Sequence, residues 1–410
     1  MTTRLRNART PEGSVVDLVT VDGRVVEIVA AGATPVTDVT GATEHDLGGY
    51  LLLPAAAEPH AHLDKAYTAD RVENPSGDLL GAIIAWSAYR KTLTVDDITQ
   101  RAEAAVRASV ANGFTAIRTH VDLGADIGLR GIEALCAVRE RMHSMVDLEV
   151  VVLAGGTIQG WTPADQVALV REAIAIGADT VGGAPFLDDA PIAAIERLVQ
   201  IAVDLGVRID LHTDETLDTS VLTLREFAHI VIDAGLQGRA AASHCVSLGM
   251  QPEQVQREVA ELCATAGVSV ITLPQTNLFL QSREYRTSAP RGLTAIAALR
   301  EAGVNVAGGA DNLQDPFNTV GRADPLETAA LLVMAGHLST DVAYELVSNA
   351  SRRALGLETV GVHVGSLAEY LAIDAPTQRA AVAGAPAGRM VIHQGRLVAV
   401  THATTVFADI

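Results

Sequence analysis

Short runs of apolar and β-branched residues alternate with helix-patterned segments from about residue 50 to about residue 350, and this alternation constrains the fold most strongly. Short buried strands joined by amphipathic helices are typical of a parallel sheet. Several helical segments end in a glycine directly before the next strand, as in ANGF, DLGV and TAGV, which marks helix C-termini. The predicted strands are YLLLPAAAEPHAH, FTAIRTHVD, LEVVVLAGG, ADTVGGAP, VRIDLHTDE, AAASHC, VSVITLPQ and VNVAGGAD.

Eight such strand–helix units predict an α/β fold, a (β/α)8 TIM barrel that we place at residues 56–354. A doubly wound open sheet is the main alternative, but no glycine-rich dinucleotide fingerprint follows an early strand. The first unit is irregular, because a long polar segment at about 66–95 separates its strand from its helix. An insertion at the catalytic end of a barrel is well placed to act as a substrate lid.

The two ends of the chain differ from the middle in composition. Both are rich in valine and carry turn signals such as DG and QG, so they predict short antiparallel strands. Because residues 1–55 and 355–410 share this character, we expect them to pair into one small β-sandwich domain beside the barrel.

Charge and composition argue against several classes of partner. A net charge of −19 argues against nucleic acid, since phosphate binding needs patches of Lys and Arg. No run of about 18 apolar residues predicts a membrane span, and the start MTTRLRNARTPEGS has no apolar signal core. Three widely spaced cysteines favour a reducing compartment. We therefore expect a soluble cytoplasmic protein with a small-molecule ligand, and the 49% hydrophobic content is compatible with a homo-oligomer.

Polar residues at the carboxyl ends of the predicted strands are the candidates for chemistry, because TIM barrels build their active sites there. His60 and His62 in EPHAHLDK lie two residues apart at the end of the first strand, so they point to one face. Such a pair is either a metal site or an accident of composition. The other strand-end candidates are His120, Asp122, His212, Asp214, Glu215, His244, Asp311 and Asn312.

Three imidazoles and a carboxylate suit one divalent ion such as Zn²⁺ or Fe²⁺. The last strand of a barrel closes beside the first, so Asp311 is expected near His60 and His62, and His212 comes from the fifth strand. Neighbouring strand ends converge on one small volume, which makes a shared ion the favoured interpretation.

Glu215 follows His212 by three residues, which places a carboxylate where it can approach a bound water as a general acid or base. The alternative is that Glu215 is a first-turn acid of the next helix. His244 either hydrogen-bonds the water or serves a second metal ion. His120 is equally compatible with packing inside the barrel mouth.

Other polar residues receive structural interpretations. Asp64 and Lys65 are expected to orient loops, and Cys245 to fill the core. The remaining histidines fall on helices or in the terminal strands and are expected to be structural or solvated: His45, His143, His229, His337, His363, His393 and His402.

This combination resembles the amidohydrolase superfamily, and within it the cytosine deaminase-like group. The resemblance rests on EPHAHLDK, RTHVD, HTDE, SH and ADN at the strand ends. It extends to AIIAWSAYRKTLTVDDITQRA, NLFLQSR and DNLQDPFNTVG outside them, and so covers most of the chain.

The resemblance implies a mononuclear site with His60, His62, His212 and Asp311 as metal ligands. The fourth strand ends in VGGAP and lacks the lysine that dinuclear relatives carry there, which favours one metal ion. By the same resemblance three residues act in catalysis: Glu215 moves a proton to a ring nitrogen, His244 holds the attacking water, and Asp311 passes a proton to the leaving amine.

The residues expected to contact the substrate depart from the cytosine deaminase pattern. Gly155 stands where that group carries a pyrimidine-reading glutamine, although Gln159 lies close by. Asn312 replaces a second aspartate, and Phe317 replaces a tryptophan. The resemblance therefore supports the reaction type more than cytosine itself. The full set of predicted substrate contacts is Asn312, Gln159, Phe317, Leu79 and Asn277.

Three functions follow in order of weight. The first is a metal-dependent deaminase of an amino-substituted N-heterocycle, such as a pyrimidine, a triazine or a pterin. The second uses the same site to cleave a cyclic amide or an N-alkylamino substituent. The third is a non-catalytic barrel, which the retention of every expected ligand and of Glu215 disfavours.

Overall fold

The computed structural model describes residues 1–155 and 162–408. Its first 54 residues form five short strands. Later, near the C-terminus, three more strands join the same sheet. The sheet consists of β1 (Thr2–Arg9), β2 (Val15–Val21), β3 (Arg24–Ala30), β4 (Thr43–Asp46) and β5 (Leu51–Pro54), and it ends with strands at Tyr370–Ile373, Arg389–His393 and Arg396–Thr401.

A second sheet of eight parallel strands forms the barrel within the described residues. Each strand overlaps one of the runs predicted from the sequence, but the first run, YLLLPAAAEPHAH, is divided between Leu51–Pro54 in the terminal sheet and Ala56–Ala61 in the barrel. The strands are β6 (Ala56–Ala61), β7 (Phe114–Leu123), β8 (Asp147–Ala154), β9 (Thr180–Gly183), β10 (Arg208–Thr213), β11 (Ala240–His244), β12 (Ser269–Thr272) and β13 (Val306–Gly308).

The barrel strands pair in chain order from β6 to β13, and the two ends of this order meet. The backbone N–H of Asp311 donates to the carbonyl oxygen of His60 at 3.1 Å, and Ala61 forms a parallel bridge with Asp311. This closure brings the segment after the eighth strand beside the end of the first. The TIM-barrel prediction is therefore confirmed.

Helices cover the outside of the barrel, so that its strands are buried on both faces; all ten residues of β7 are buried. The first helices are α1 (Leu79–Tyr89), α2 (Val95–Asn112), α3 (Arg130–Met142), α4 (Pro163–Ala175), α5 (Pro191–Leu205), α6 (Thr223–Asp233) and α7 (Val246–Gly249). They are followed by α8 (Glu253–Ala266), α9 (Pro274–Leu280), α10 (Ile296–Glu301), α11 (Pro325–Gly336), α12 (Thr340–Val347), α13 (Asn349–Leu355) and α14 (Gln378–Gly384). Short 3-10 turns lie at Arg90–Thr92 and Pro185–Leu187.

Local sequence signals explain where these helices begin and end. The Thr94 side chain accepts a hydrogen bond from the Asp97 N–H at the start of α2, and Gly113 ends that helix with φ +114°. Gly206 and Gly267 end α5 and α8 in the same left-handed conformation. The helix-ending glycines in the sequence thus mark real helix ends.

The terminal strands close the small domain, and we number them β14 (Tyr370–Ile373), β15 (Arg389–His393) and β16 (Arg396–Thr401). The strand order is β16-β15-β14-β5-β1-β2-β3, with β4 beside β1. Most pairs are antiparallel, but β1 pairs with β4 and with β5 in parallel. The predicted small domain built from both termini is therefore confirmed.

The two halves of this sheet share a separate hydrophobic core. Leu5 and Leu18 from the N-terminal strands pack in one cluster with Tyr370 and Ile392 from the C-terminal strands. We retain 1–55 with 355–410 and 56–354 as proposed domain limits. Among the described residues, no helix combines the length and the hydropathy that crossing a membrane would require.

Candidate metal and substrate site

The carboxyl ends of the barrel strands carry several residues with unusual backbone conformations. Asp214, His244 and Asp311 have φ values of +51°, +67° and +67°, which are rare for residues other than glycine. Each lies at or just after the end of a strand, so the chain turns sharply at the barrel mouth. Clusters of such conformations are characteristic of functional sites.

Three imidazoles meet at the mouth of the barrel. The Nε2 atom of His212 lies 3.1 Å from Nε2 of His60 and 3.1 Å from Nε2 of His62. His60 is fully buried, and His62 and His212 are each 6% exposed. The prediction that His60 and His62 point to one side, towards His212, agrees with this geometry.

Asp311 places its carboxylate against the same imidazoles. Its Oδ1 atom lies 3.3 Å from Nε2 of His62 and 3.7 Å from Nε2 of His60, and its Oδ2 atom lies 3.9 Å from Nε2 of His244. The barrel closure described above is what brings Asp311 to this position. Five side chains from strands β6, β10 and β11 and from the segment after β13 thus surround one small volume.

Burial sets the protonation of these groups. It lowers the pKa of His60, His62 and His212 well below the usual value, with the neighbouring imidazoles adding to the effect. Their rings are therefore neutral, which is the form that binds metal ions. Burial, together with Glu215, raises the pKa of Asp311 well above its usual value.

The chemistry of this donor set fits a metal ion. His60, His62 and His212 offer ligand atoms close enough to share one ion, as do His60, His244 and Asp311. Among the described residues, neither carboxylate oxygen of Asp311 has a hydrogen-bond partner, although both are buried. Buried polar atoms are normally satisfied, so an unsatisfied carboxylate beside neutral imidazoles indicates a place for a cation.

Glu215 lies beside this cluster as a lone buried acid. It is 5% exposed, and within the described part of the chain its Oε1 atom has no hydrogen-bond partner. Its Oε1 atom lies 3.5 Å from Nδ1 of His244. Burial raises the pKa of Glu215 to about 8. The side chain faces the cavity and is free to exchange a proton there.

Asp214 explains why its neighbour Glu215 faces the cavity. The Asp214 carboxylate accepts hydrogen bonds from the backbone N–H groups of Thr223 and Leu224 and from the Thr223 hydroxyl, at 2.6 to 2.9 Å. It therefore anchors the start of α6, which is the structural role that we had considered for Glu215.

His244 is held by Asn277, which the sequence predicts to contact the substrate. Nδ1 of His244 lies 2.9 Å from Oδ1 of Asn277, which is fully buried. Asn277 lies behind His244 and is not among the residues that line the cavity. Burial lowers the pKa of His244 to about 4, so its ring is neutral, with Nδ1–H donating and Nε2 directed towards Asp311.

A cavity opens over the cluster and encloses about 740 Å³ of space, including its mouth. Asn312, Phe317 and Leu79, three of the predicted substrate contacts, line it. Asn312, however, already donates to Asp315 Oδ2 at 2.8 Å and accepts from the Thr276 hydroxyl at 3.3 Å. Gly155 also lines the cavity, whereas the predicted contact Gln159 falls outside the described residues.

One wall of this cavity includes Trp86, which no sequence motif singled out. Trp86, Lys65 and Asp122 line it, and the indole N–H of Trp86 donates to the Asp122 carboxylate. Lys65 lies 3.1 Å from Nδ1 of His62 and 3.3 Å from Oδ1 of Asp122. The sequence signals for this wall were Asp122 at a strand end and the charged Lys65, three positions after His62.

The flanking residues of EPHAHLDK have structural roles. The Glu58 carboxylate accepts from the backbone N–H groups of His60 at 3.1 Å and Ala310 at 2.9 Å, so it ties the first strand to the segment after the last. The Asp64 carboxylate accepts from the Asp122 N–H at 3.0 Å. These contacts shape the mouth on which the histidines lie.

A closed barrel of parallel strands with a buried histidine and aspartate cluster at its carboxyl face defines a metal-binding barrel enzyme. The sequence profile of the amidohydrolase family matches residues 67–399. The chain is also 32% identical over 389 residues to the pterin deaminase of Rhizobium rhizogenes, covering 93% of this chain and 87% of that protein. The chain therefore belongs to the amidohydrolase family, as its strand-end motifs predicted, and it is a hydrolase.

Solved structures agree with this assignment. The 5-methylcytosine deaminase of Klebsiella pneumoniae, liganded with 5-fluorocytosine, matches with a TM-score of 0.88 and 28% identity over 99% of each chain. The N-isopropylammelide isopropylaminohydrolase of Burkholderia multivorans matches with a TM-score of 0.84 and 28% identity, covering 98% of this chain and 99% of that one. Both matches extend over almost the whole length of this chain.

Proposed function

We propose that this chain is a metal-dependent deaminase of an amino-substituted N-heterocycle. The observation that carries the proposal is Glu215, a buried acid without a hydrogen-bond partner for Oε1 among the described residues, beside a histidine and aspartate cluster in one cavity. The named activities of the relatives, pterin deaminase and 5-methylcytosine deaminase, support the substrate class.

We propose His60, His62, His212 and Asp311 as the ligands of one divalent ion, zinc or iron. When bound, such an ion lowers the pKa of a coordinated water towards neutrality. The clustering of the three Nε2 atoms with the Asp311 carboxylate supports this set. The absence of a lysine after β9, where the sequence reads GGAPF, supports a single ion.

The chain's own residues supply the proton transfers. Glu215, protonated below about pH 8, donates its proton to a ring nitrogen, which makes the adjacent ring carbon electrophilic. Neutral His244 accepts a hydrogen bond at Nε2 from the attacking water, because its Nδ1–H is held by Asn277. Asp311 accepts the proton of the water and returns it to the leaving amine. The C–N bond breaks and ammonia leaves, and the proton of the remaining hydroxyl group returns to Glu215 as the carbonyl forms.

Replacement of Glu215 by glutamine tests the proposal. Glu215→Gln keeps the size of the side chain and lies outside the proposed ligand set, so the metal content should be unchanged. Turnover should fall by about 10²- to 10⁴-fold, the usual contribution of a general acid or base. Glu226→Gln, at an exposed position on α6, is the matched control and should behave as the native protein. Normal turnover by the Glu215 variant would overturn the assignment.

A panel of pterin, cytosine and ammelide, each assayed for ammonia on metal-replete enzyme, identifies the ring. The alternative reaction, release of an alkylamine from an N-alkylamino heterocycle, is favoured by the likeness to N-isopropylammelide isopropylaminohydrolase. Isopropylamine from N-isopropylammelide would support this alternative, and a ring-opened acid would indicate cyclic amide cleavage.

We also retain the wider predictions as proposals. A cytoplasmic location is supported by cysteines that are free among the described residues, two of them buried. The net charge of −19 supports a small-molecule substrate without a nucleic-acid partner. A homo-oligomer remains an expectation, which light scattering of the purified protein would test.

A further inference from the structure

Helix α1, inserted after the first barrel strand, forms one wall of the cavity. Leu79, Ile83 and Trp86 of this helix line the cavity, at the three- and four-residue spacing of one helix face. Ile84 on another face is 61% exposed. The insertion predicted at about 66–95 therefore contributes a specific side-chain surface to the site.

Trp86 combines deep burial with a fixed orientation. It is 2% exposed, and its indole N–H donates to the carboxylate of Asp122 at the end of β7. A buried indole N–H generally needs a hydrogen-bond partner, and here that partner is a carboxylate at the cavity edge. The bond couples the inserted helix directly to a barrel strand.

Asp122 is itself held from several sides. Lys65 Nζ lies 3.3 Å from its Oδ1 atom, Arg90 Nη1 lies 3.5 Å from Oδ2, and its backbone N–H donates to Asp64. Burial alone would raise the pKa of Asp122, but Lys65, Arg90 and the Trp86 N–H hold it below the usual value. The carboxylate is therefore charged and held in place. Because the Trp86 N–H donates to it, the orientation of the indole plane is fixed as well.

Aromatic side chains are concentrated at this cavity. Aromatic residues make up only 3% of the chain, yet Trp86, Phe186 and Phe317 all line the same cavity. The Lys65 ammonium lies 5.6 Å from the ring centroid of Trp86 and 5.8 Å from that of Phe317, so both rings border one buried cation. Flat heteroaromatic rings bind well against such faces.

We propose that the substrate ring stacks on the indole of Trp86 and that this contact determines the affinity for the ring. Asp122 is the positioning residue that fixes the orientation of the Trp86 indole. The inference rests on the proposed function for the identity of the ligand as a flat N-heterocycle. It adds a recognition surface outside the metal-binding residues.

Kinetics of point variants test this inference. Trp86→Leu removes the aromatic face, so we expect KM to rise about tenfold or more, as for loss of one base–aromatic stack. Trp86→Phe keeps a ring without the N–H, and Asp122→Asn keeps the shape without the charge; both should raise KM by a smaller factor. In all three, kcat should stay within about threefold and the metal content unchanged, because the ligands and Glu215 are untouched. Ile84→Ala, on the exposed face of α1, is the control.

Direct binding gives a second readout. The chain has two tryptophans, Trp86 and Trp161, so Trp161→Phe leaves Trp86 as the only indole fluorophore. Titration with uracil and cyanuric acid, which lack the amino group, should quench this emission to saturation. Calorimetry with lumazine should give a Kd that rises about tenfold in Trp86→Leu.

The possible results separate this inference from the proposed function. One result is that a heterocycle quenches the Trp86 emission to saturation, while the enzyme does not deaminate the amino-substituted form of the same ring. This result would support stacking on Trp86 and count against the proposed reaction. Turnover with unchanged KM and Kd in Trp86→Leu and Asp122→Asn, accompanied only by a lower melting temperature, would overturn the stacking on Trp86. That outcome would leave the reaction assignment intact.

Discussion

Two clusters of buried polar groups lie at different levels of the barrel interior, and they differ in how their groups are paired. In the lower cluster Arg118, 1% exposed, donates to Asp210 Oδ2 at 2.9 Å and contacts Glu149 Oε2 at 2.8 Å. Hydroxyl groups complete it, since Ser243 donates to Asp210 at 3.0 Å and Thr180 donates to Glu149 at 2.6 Å. Each charge there faces an opposite charge.

The upper cluster is also buried, but in the described part of the chain several of its polar atoms lack a hydrogen-bond partner. Within residues 1–155 and 162–408, both carboxylate oxygens of Asp311, Oε1 of Glu215 and Nε2 of His244 have no hydrogen-bond partner. A buried ion pair adds at best modest stability to a fold, but removal of one partner is strongly destabilising because it leaves a buried charge uncompensated. Unpaired buried groups that converge on a cavity are those available to a ligand. Pairing, rather than burial or charge, distinguishes the candidate functional cluster.

His120 lies between the two clusters. Its ring stacks on His60 with centroids 3.9 Å apart, and its Nε2 atom lies 3.7 Å from Asp210 Oδ2. The sequence left open whether His120 packs inside the barrel or belongs to the site. In the structure it packs inside the barrel and also contacts His60, a proposed ligand. His120 forms the floor beneath the proposed ligands.

The largest effect is expected from the upper cluster, on metal binding and activity. Asp311→Asn and His60→Ala each remove a proposed ligand, so metal content should fall to the background level. Activity should drop by about 10³-fold or more, since a bound metal supplies several kcal/mol of transition-state stabilisation. The unfolding free energy of metal-free Asp311→Asn should not decrease, because the carboxylate lacks a partner among the described residues. Metal analysis measures the metal content, and urea denaturation measures the unfolding free energy. A variant that retains its metal would count against the ligand set.

The lower cluster should respond in stability instead. Arg118→Met leaves the buried Asp210 and the partly buried Glu149 without their cation, so the unfolding free energy should fall by about 3–5 kcal/mol. The metal content per folded molecule should be unchanged. Arg322→Met, where the arginine is 75% exposed and lies 3.6 Å from Glu327, is the control and should change stability by at most about 0.5 kcal/mol. An equal loss in both variants would remove the distinction between the clusters.

The smallest effect is a dependence of stability on pH. The pKa of Glu215 is about 8 in the folded chain and 4.5 in its ordinary state, so the carboxyl ionises more readily after unfolding. Metal-free native protein should therefore lose stability relative to Glu215→Gln as the pH rises from about 4.5 to about 8, by at most ~1.4 kcal/mol per pH unit. Denaturation curves across this window measure the slope, and parallel curves for the two proteins would show that Glu215 is not held protonated. Asp210 has the opposite sign, because its pKa is lowered and its contribution is lost only in acid.

Much of the fold was predictable because its signals are local. Each barrel strand is a short buried run, and each helix-ending glycine needs only its own left-handed conformation, as at Gly113. The closeness of Asp311 to His60 was predictable as well, since a barrel of eight strands must close. These inferences need the periodicity of the chain and a rule of topology.

Other parts of the site could not be predicted, because they depend on where distant segments pack. Trp86 and Asp122 are 36 positions apart, and only the placement of α1 against β7 joins them. Asn277 was expected to touch the substrate, but the packing of α9 puts its amide behind His244. The amide of Asn312 is similarly engaged by Asp315 and Thr276.

The sequence by itself determined the barrel, the terminal domain, the family and the residue types at the strand ends, since alternation and strand order follow from local patterning. The tertiary structure decided which of those side chains remain unpaired. Glu215 faces the cavity because Asp214 takes the bonds at the start of α6, and Trp86 forms a wall because Asp122 holds it. The physical reason is that hydrogen-bond satisfaction depends on neighbours in space, and those neighbours come from segments far apart in the chain.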